Sequence, residues 1–409
     1  MRPERLLITA TALLAASAAI AIAQRPGVFS GSLADPAIQY ATGPTNTAVN
    51  LLNKKLADGD VTLKYDEATG YLRSTLDALN IPVESQVVVY TKTSLQAQWI
   101  TPGNPRAIYF NDTTAVAFVR GAPLLEVWAQ DPRQGTIFYS LEQKSLERAP
   151  AFARETRCLA CHLAWETLSV PGPLVLTTFP REFDYQGADG FAIDHRDELS
   201  QRWGGWYVTG RRGPARHMGN LPLFMKGDPP ATAAPLRPSL AGTVDLPGYP
   251  TPYSDIVALM VLEHQTHALN LITRTAWEAR IGSVNVPDAV RDLADYLLFV
   301  GEARIAGPME GSSGFAGKFA AMGPRDSKGR SLRELQLEGR LMKYPLSYTI
   351  YSPAFDAIPQ FARDAVMARL NDVLSGEDAS PKYAHLTPEI RRAIVEILKE
   401  TKGADFAAF

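Results

Sequence analysis

The chain contains two cysteines in 409 residues, at positions 158 and 161, and a histidine directly follows the second: Cys158-Leu159-Ala160-Cys161-His162. Cys-x-x-Cys-His is the attachment sequence for a covalently bound haem, in which the two thiols add to the porphyrin vinyl groups and the histidine turns back onto the iron. Other chemistries for the same residues need partners that are harder to find. A structural zinc site takes about four Cys or His ligands, so the missing two would be scattered histidines. A thioredoxin-like redox pair follows a strand in a βαβ setting, whereas this pair follows Phe152-Ala153-Arg154-Glu155-Thr156-Arg157, polar and helical in character. A plain disulfide gives no reason for His162.

On these five residues the chain resembles the c-type cytochromes. Beyond them it is loosely similar to long, single-haem secreted proteins that contain a cytochrome c domain. The resemblance implies one covalent haem c, with Cys158 and Cys161 as thioether anchors and His162 as proximal iron ligand. It also implies attachment outside the cytoplasmic membrane, and no particular reaction.

The group on the other side of the iron decides between carrier and catalyst. His264 is the first choice. It falls in the apolar stripe Val257, Met260, Val261, Ala268 and Leu271 of a long helix, where a neutral imidazole needs a partner: iron, a carbonyl or another side chain. His217 or Met218 is the alternative, in a Gly-bounded loop after His162 at a separation comparable to that of the distal methionine in small c-type cytochromes. Met225 and Met260 are further methionines within reach of the same role. His195, between Asp194 and Arg196, reads as a distal acid or base or as a loop histidine held by a carboxylate. His267 shares a flank with Glu263, Asn270 and Arg274 and reads as part of a polar network, and His385 as structural. Arg202, Arg211, Arg212 and Arg216 together are apt partners for two haem propionates, although each taken singly reads first as a solvated surface charge.

The elements that must position these groups suggest an α+β chain in four parts. Residues 1–23 combine Arg2 and Arg5 with an apolar run over 6–23 and Ala21-Ile22-Ala23, which reads as a signal peptide; an uncleaved anchor helix is the alternative. Residues 24–149 open with a Gly/Pro/Ser-punctuated arm and two short helices over Thr47–Ala57 and Asp66–Leu79. β-Branched and aromatic runs then follow at Val87–Tyr90, Ala107–Phe110, Ala115–Val119, Leu124–Ala129 and Thr136–Leu141, separated by turn residues: an antiparallel sheet. Residues 150–307 form the expected, mainly helical haem part. There Trp165 and Pro171-Gly172-Pro173 would wall the haem, a long loop spans Phe179–Asp228, a helix capped by Ser254 or Tyr253 runs to Gly282, and another covers Asp288–Ala303. Residues 308–409 read as a helical extension over Ser331–Met342, Pro359–Leu374 and Thr387–Lys402.

A hydrophobic content of 46% is ample for buried cores, and the net charge of −2 with no dominant Lys/Arg block points away from nucleic acid. The expected address is periplasmic or secreted, with a membrane association only if 6–23 stays uncleaved. Two functions are open: electron transfer to a redox partner protein through a six-coordinate haem, or a peroxidase-like or small-molecule-oxidising enzyme with an open iron position and His195, His217 or Arg216 as acid or base. A single motif makes the likeness to two-haem peroxidases poor. A haem-based sensor is the lesser possibility, without a visible signalling module.

Overall fold

The β-branched runs between Gln86 and Leu141 form five strands, β1 (Val87–Val89), β2 (Arg106–Phe110), β3 (Thr114–Phe118), β4 (Leu124–Asp131) and β5 (Gly135–Glu142). Each pairs antiparallel with the next, and β4–β5 is the longest hairpin, in register from Leu124↔Glu142 to Asp131↔Gly135. Its turn is the Asp131-Pro132 signal of the sequence: the Asp131 carboxylate accepts from the backbone of Arg133 and Gln134, and Gly135 takes a φ of 76° that favours glycine. The computed structural model describes residues 27–145, 150–178, 190–222 and 237–403. The segment 1–23, Met225 and the two ends of the Phe179–Asp228 loop, 179–189 and 223–228, lie outside them.

The sheet is wider than the sequence run. Its order is β6-β5-β4-β3-β2-β1-β9, and both edges come from later chain: β6 (Ala153–Arg154) beside β5, and β9 (Trp206–Tyr207) beside β1. One face is fully buried, with Val88, Tyr109, Val116, Val127 and Ile137 packed with α1 (Ala48–Asp58) and α2 (Leu72–Ala78). Toward the other face lies α4 (Ile256–Arg280), whose first turns pack with Val87, Val89 and Ala115. Further along this face Arg106, Ile108, Ala117, Glu126 and Trp128 are only half buried, the alternation expected of a strand with two different environments.

Among the described residues there are nine α-helices and eleven strands, a mixed α+β architecture. The domain limits expected at 149/150 and 307/308 do not separate independent cores. The sheet crosses the first. Across the second, α5 (Val286–Leu297) packs with α8 (Gln360–Ser375) in one apolar cluster, and Ile305 bridges Gly339. Among the described residues before α4, the part expected to be mainly helical is a run of short strands and single turns.

Several elements differ from their sequence patterns for local reasons. Thr47, the first residue of the expected helix, is the cap of α1, accepting from Asn50 at 3.1 Å. The second helix starts only at Leu72, because the Asp66 side chain accepts from Ala68 and Thr69 and closes a turn. The cap of α4 is Asp255, which accepts from Val257 and Ala258; Ser254 instead donates to the Tyr207 carbonyl. α5 ends at Leu297, before positive φ at Phe299 and Gly301. Ser331–Met342 is a turn and hairpin, β10 (Leu335–Glu338) and β11 (Arg340–Met342), rather than a helix. The reciprocal Ser331–Glu334 bond forms at 3.0 Å, but Arg333 is drawn to Asp112 at 2.6 Å, and positive φ at Leu337 and Gly339 reverses the chain. Among the described residues no helix is long and apolar enough to cross a membrane.

Candidate functional site

Cys158 caps a single helical turn, α3 (Leu159–His162), Cys161 lies within it, and neither is in a disulfide. Cys161 is exposed and Cys158 is half buried. Burial and the carboxylates of Glu126 and Glu155 push the Cys158 thiol up to about 12. A redox-active Cys-x-x-Cys pair needs the opposite, a depressed pKa that leaves a thiolate.

His162 ends the turn. Its Nδ1 lies 2.9 Å from the Gly172 carbonyl oxygen, so that nitrogen carries the proton and the lone pair belongs to Nε2. The bond is one half of a clamp, because the Gly172 N–H donates to the His162 carbonyl, also at 2.9 Å. Burial keeps the imidazole neutral down to about 4, even though the carbonyl partner favours the charged form. Metal-ligating histidines have this arrangement: one ring nitrogen held by an acceptor, the other free to bind. Phe138 of β5 lies against the ring at 4.7 Å.

The motif therefore sits on the sheet face that carries Arg106, Ile108, Ala117, Glu126 and Trp128. Arg106 bears on His162 electrostatically and pairs loosely with Glu126 at 3.5 Å. Its Nε is buried without a hydrogen-bond partner among the described residues. Trp165, just past the motif, stands 59% exposed. Two free thiols, a neutral histidine with Nε2 released, an apolar strip and an unsatisfied guanidinium donor are a set that suits a planar, apolar ring carrying carboxylates. Among the described residues no three His, Cys, Asp or Glu side chains gather as they would for a bare metal ion.

Other sequence candidates lie elsewhere. His264 is fully buried with both ring nitrogens engaged, Nε2 with the Ser347 hydroxyl at 2.7 Å and Nδ1 with His195 Nδ1 at 2.8 Å. It stacks on Phe299 at 4.5 Å, on a different side of α4 from Asn270, the residue that meets the Gly172 loop. His264, expected as distal ligand, is here a core histidine bonded to side chains. His217 is buried on Trp203 at 5.1 Å, and burial with Arg212 pushes it down to about 3. The Met218 N–H donates to the Arg202 carbonyl. Arg202 in turn forms a buried pair with Glu263, about 10 Å along α4 from Asn270. Arg211, Arg212 and Arg216 also lie off the motif: Arg211 pairs with Glu310 at 3.3 Å, Arg212 donates to the Ala215 carbonyl, and Arg216 is exposed. Thr209, just before them, bridges Asp255 at the start of α4, about 22 Å along the helix from Asn270. Beside the motif the arginines are Arg106 and Arg157, the latter paired with Glu155.

Burial pushes His195 well below its ordinary range, with His264 acting in the same direction. His267 is held at about 4 by burial and meets Arg196 at 3.1 Å. Burial works against ionisation of Asp194, but Arg196 and His267 hold its carboxyl well below the usual range. This polar network on α4 is the role expected for His267. Arg106, Phe138 and Asn270 are the site residues that sequence reasoning did not assign to it. Only the rigid Pro171-Gly172-Pro173 run carried a signal, since it was expected near the iron-binding histidine. Compared with family models, with curated proteins and with solved structures, the chain matches none.

Proposed function

We propose that this chain binds one haem c through Cys158, Cys161 and His162 and serves electron transfer outside the cytoplasmic membrane, exchanging electrons with a redox partner protein. The observation that carries the reading is the 2.9 Å bond from His162 Nδ1 to the Gly172 carbonyl, which leaves Nε2 to ligate. When bound, haem supplies a one-electron iron couple whose potential depends on its ligands and their surroundings. The chain's own residues hold that group and shape its environment. α3 keeps both thiols and the imidazole on one turn, and burial keeps His162 in the neutral form that can bind a metal. Ile108, Ala117 and Trp128 offer apolar contact, and Arg106 offers an N–H to a carboxylate. The charged start and apolar run of residues 1–23 support export. Electron transfer is favoured over substrate oxidation because His195 and His217, the expected acid and base, are buried away from His162 among α4, Trp203 and Tyr296.

The test is expression together with haem-attachment machinery, followed by denaturing electrophoresis with a haem stain. The wild-type band should stain, and the Cys158→Ala/Cys161→Ala variant should be blank. A wild-type chain recovered without haem and with a Cys158–Cys161 disulfide under those conditions would end the proposal.

A further inference from the structure

We propose that Asn270 is the positioning residue of His162, acting through Gly172 and Pro173 to set the hydrogen bond that releases Nε2. The inference rests on the reading of His162 as a haem ligand. Asn270 is 2% exposed, mid-way along α4. Its Nδ2 donates to the Pro173 carbonyl at 2.9 Å. Its Oδ1 has no hydrogen-bond partner among the described residues and lies against Gly172, where an added Cβ would come within 2.0 Å of it.

Three distant parts of the chain thus interlock. Gly172 grips His162 at two points, its carbonyl taking the ring proton and its N–H reaching the His162 carbonyl. Asn270 in turn holds the Gly172-Pro173 segment, with an amide donor on one side and a contact that only glycine allows on the other. Pro171 and Pro173 restrict the backbone around Gly172, so a small force on Pro173 is passed to the Gly172 carbonyl. The helix that carries Asn270 is anchored on either side of that residue, by the Asp255 cap and by the Arg274–Asp292 pair at 2.8 Å. A buried amide oxygen without a partner is costly, and this one is kept where its volume sets the approach of Gly172.

An acceptor on Nδ1 raises the basicity of the ring, which stabilises the more positive, oxidised iron. Loosening the acceptor should therefore raise the reduction potential. The experiment compares haem-loaded wild type with Asn270→Leu, which approximates the shape and removes the donor without adding a charge, and with Asn270→Ala, Gly172→Ala and Gly172→Ala/Asn270→Ala. Both Asn270 variants should take up haem and show a raised potential. Gly172→Ala should raise it further, and the double variant should return to the Asn270→Ala value, because the steric conflict leaves with Oδ1. In the haem-free chain at pH 8, 15N NMR should show His162 as the Nδ1–H tautomer in wild type and as a mixture in Asn270→Ala. Variants that melt earlier while potential and tautomer stay unchanged would make Asn270 merely structural and overturn the inference. Failure of the wild type to take up haem overturns the ligand reading instead, and the tautomer result still decides the role of Asn270.

Discussion

A histidine serves a metal only when one of its nitrogens is left over, and this criterion separates the six histidines better than their sequence positions do. His162 has Nδ1 committed to the Gly172 carbonyl and no hydrogen-bond partner on Nε2 among the described residues; His264 has both nitrogens committed. Removing His264 should therefore leave the iron's coordination as it was. The His264→Ala protein should keep the visible and EPR spectra of wild type while losing about 3 kcal/mol of stability, from the cavity and from the stranded Ser347 and His195 groups. A change of spin state in that variant would return His264 to the iron. His264 stands in an apolar stripe, so periodicity shows that it is buried; whether its partner is a metal or a hydroxyl depends on Ser347, a residue 83 positions away.

The element on which the site depends is α4. Besides its apolar positions, Glu263, His267, Asn270 and Arg274 recur at helical spacing along one flank. Their partners in order are Arg202 and Trp203, Arg196, Pro173, and Asp292. Such a flank reads from sequence as a polar network, and here it is the seam that holds Pro173 and the stretch from Arg196 to Trp203 to the helix. α4 also meets the sheet at the β4–β5 turn. A Cβ on Gly135 would come within 2.6 Å of the Thr273 methyl, and Gly135 holds a φ of 76°. Gly135→Ala should cost about 3 kcal/mol, combining backbone strain with overpacking, read as a lowered denaturant midpoint. If alanine were tolerated without loss, the sheet–helix contact would be looser than these distances require.

At the scale of the molecule, the sheet is completed by chain that lies far downstream. β1 finds its outer neighbour in β9 and β5 in β6, so residues 24–149, which look like a self-contained β-rich part, end in two open edges and lack α4. Unpaired edges and a missing covering layer predict that residues 24–149 expressed alone will show no cooperative unfolding transition. A sharp two-state melt of that fragment would restore the domain boundary at 149/150. The five central strands, the β4–β5 turn and the helices α1, α4, α8 and α9 (Pro388–Thr401) were legible, because each is set by local alternation, periodicity or a cap. The hairpin at Leu335–Met342 was not, because Arg333 follows a tertiary partner, Asp112, against its local capping pattern.

The sequence alone determined that this chain carries one Cys-x-x-Cys-His motif, since attachment chemistry is written in consecutive residues, and that it combines an antiparallel sheet with long helices, since both periods are local. Tertiary structure decided what surrounds the motif. It brought Gly172, Asn270, Phe138 and Arg106 to Cys158–His162 and turned His264, His217 and the 211–216 arginines elsewhere. The physical reason is that a histidine's tautomer, an arginine's spare donor and a glycine's close approach all depend on atoms contributed by other parts of the chain.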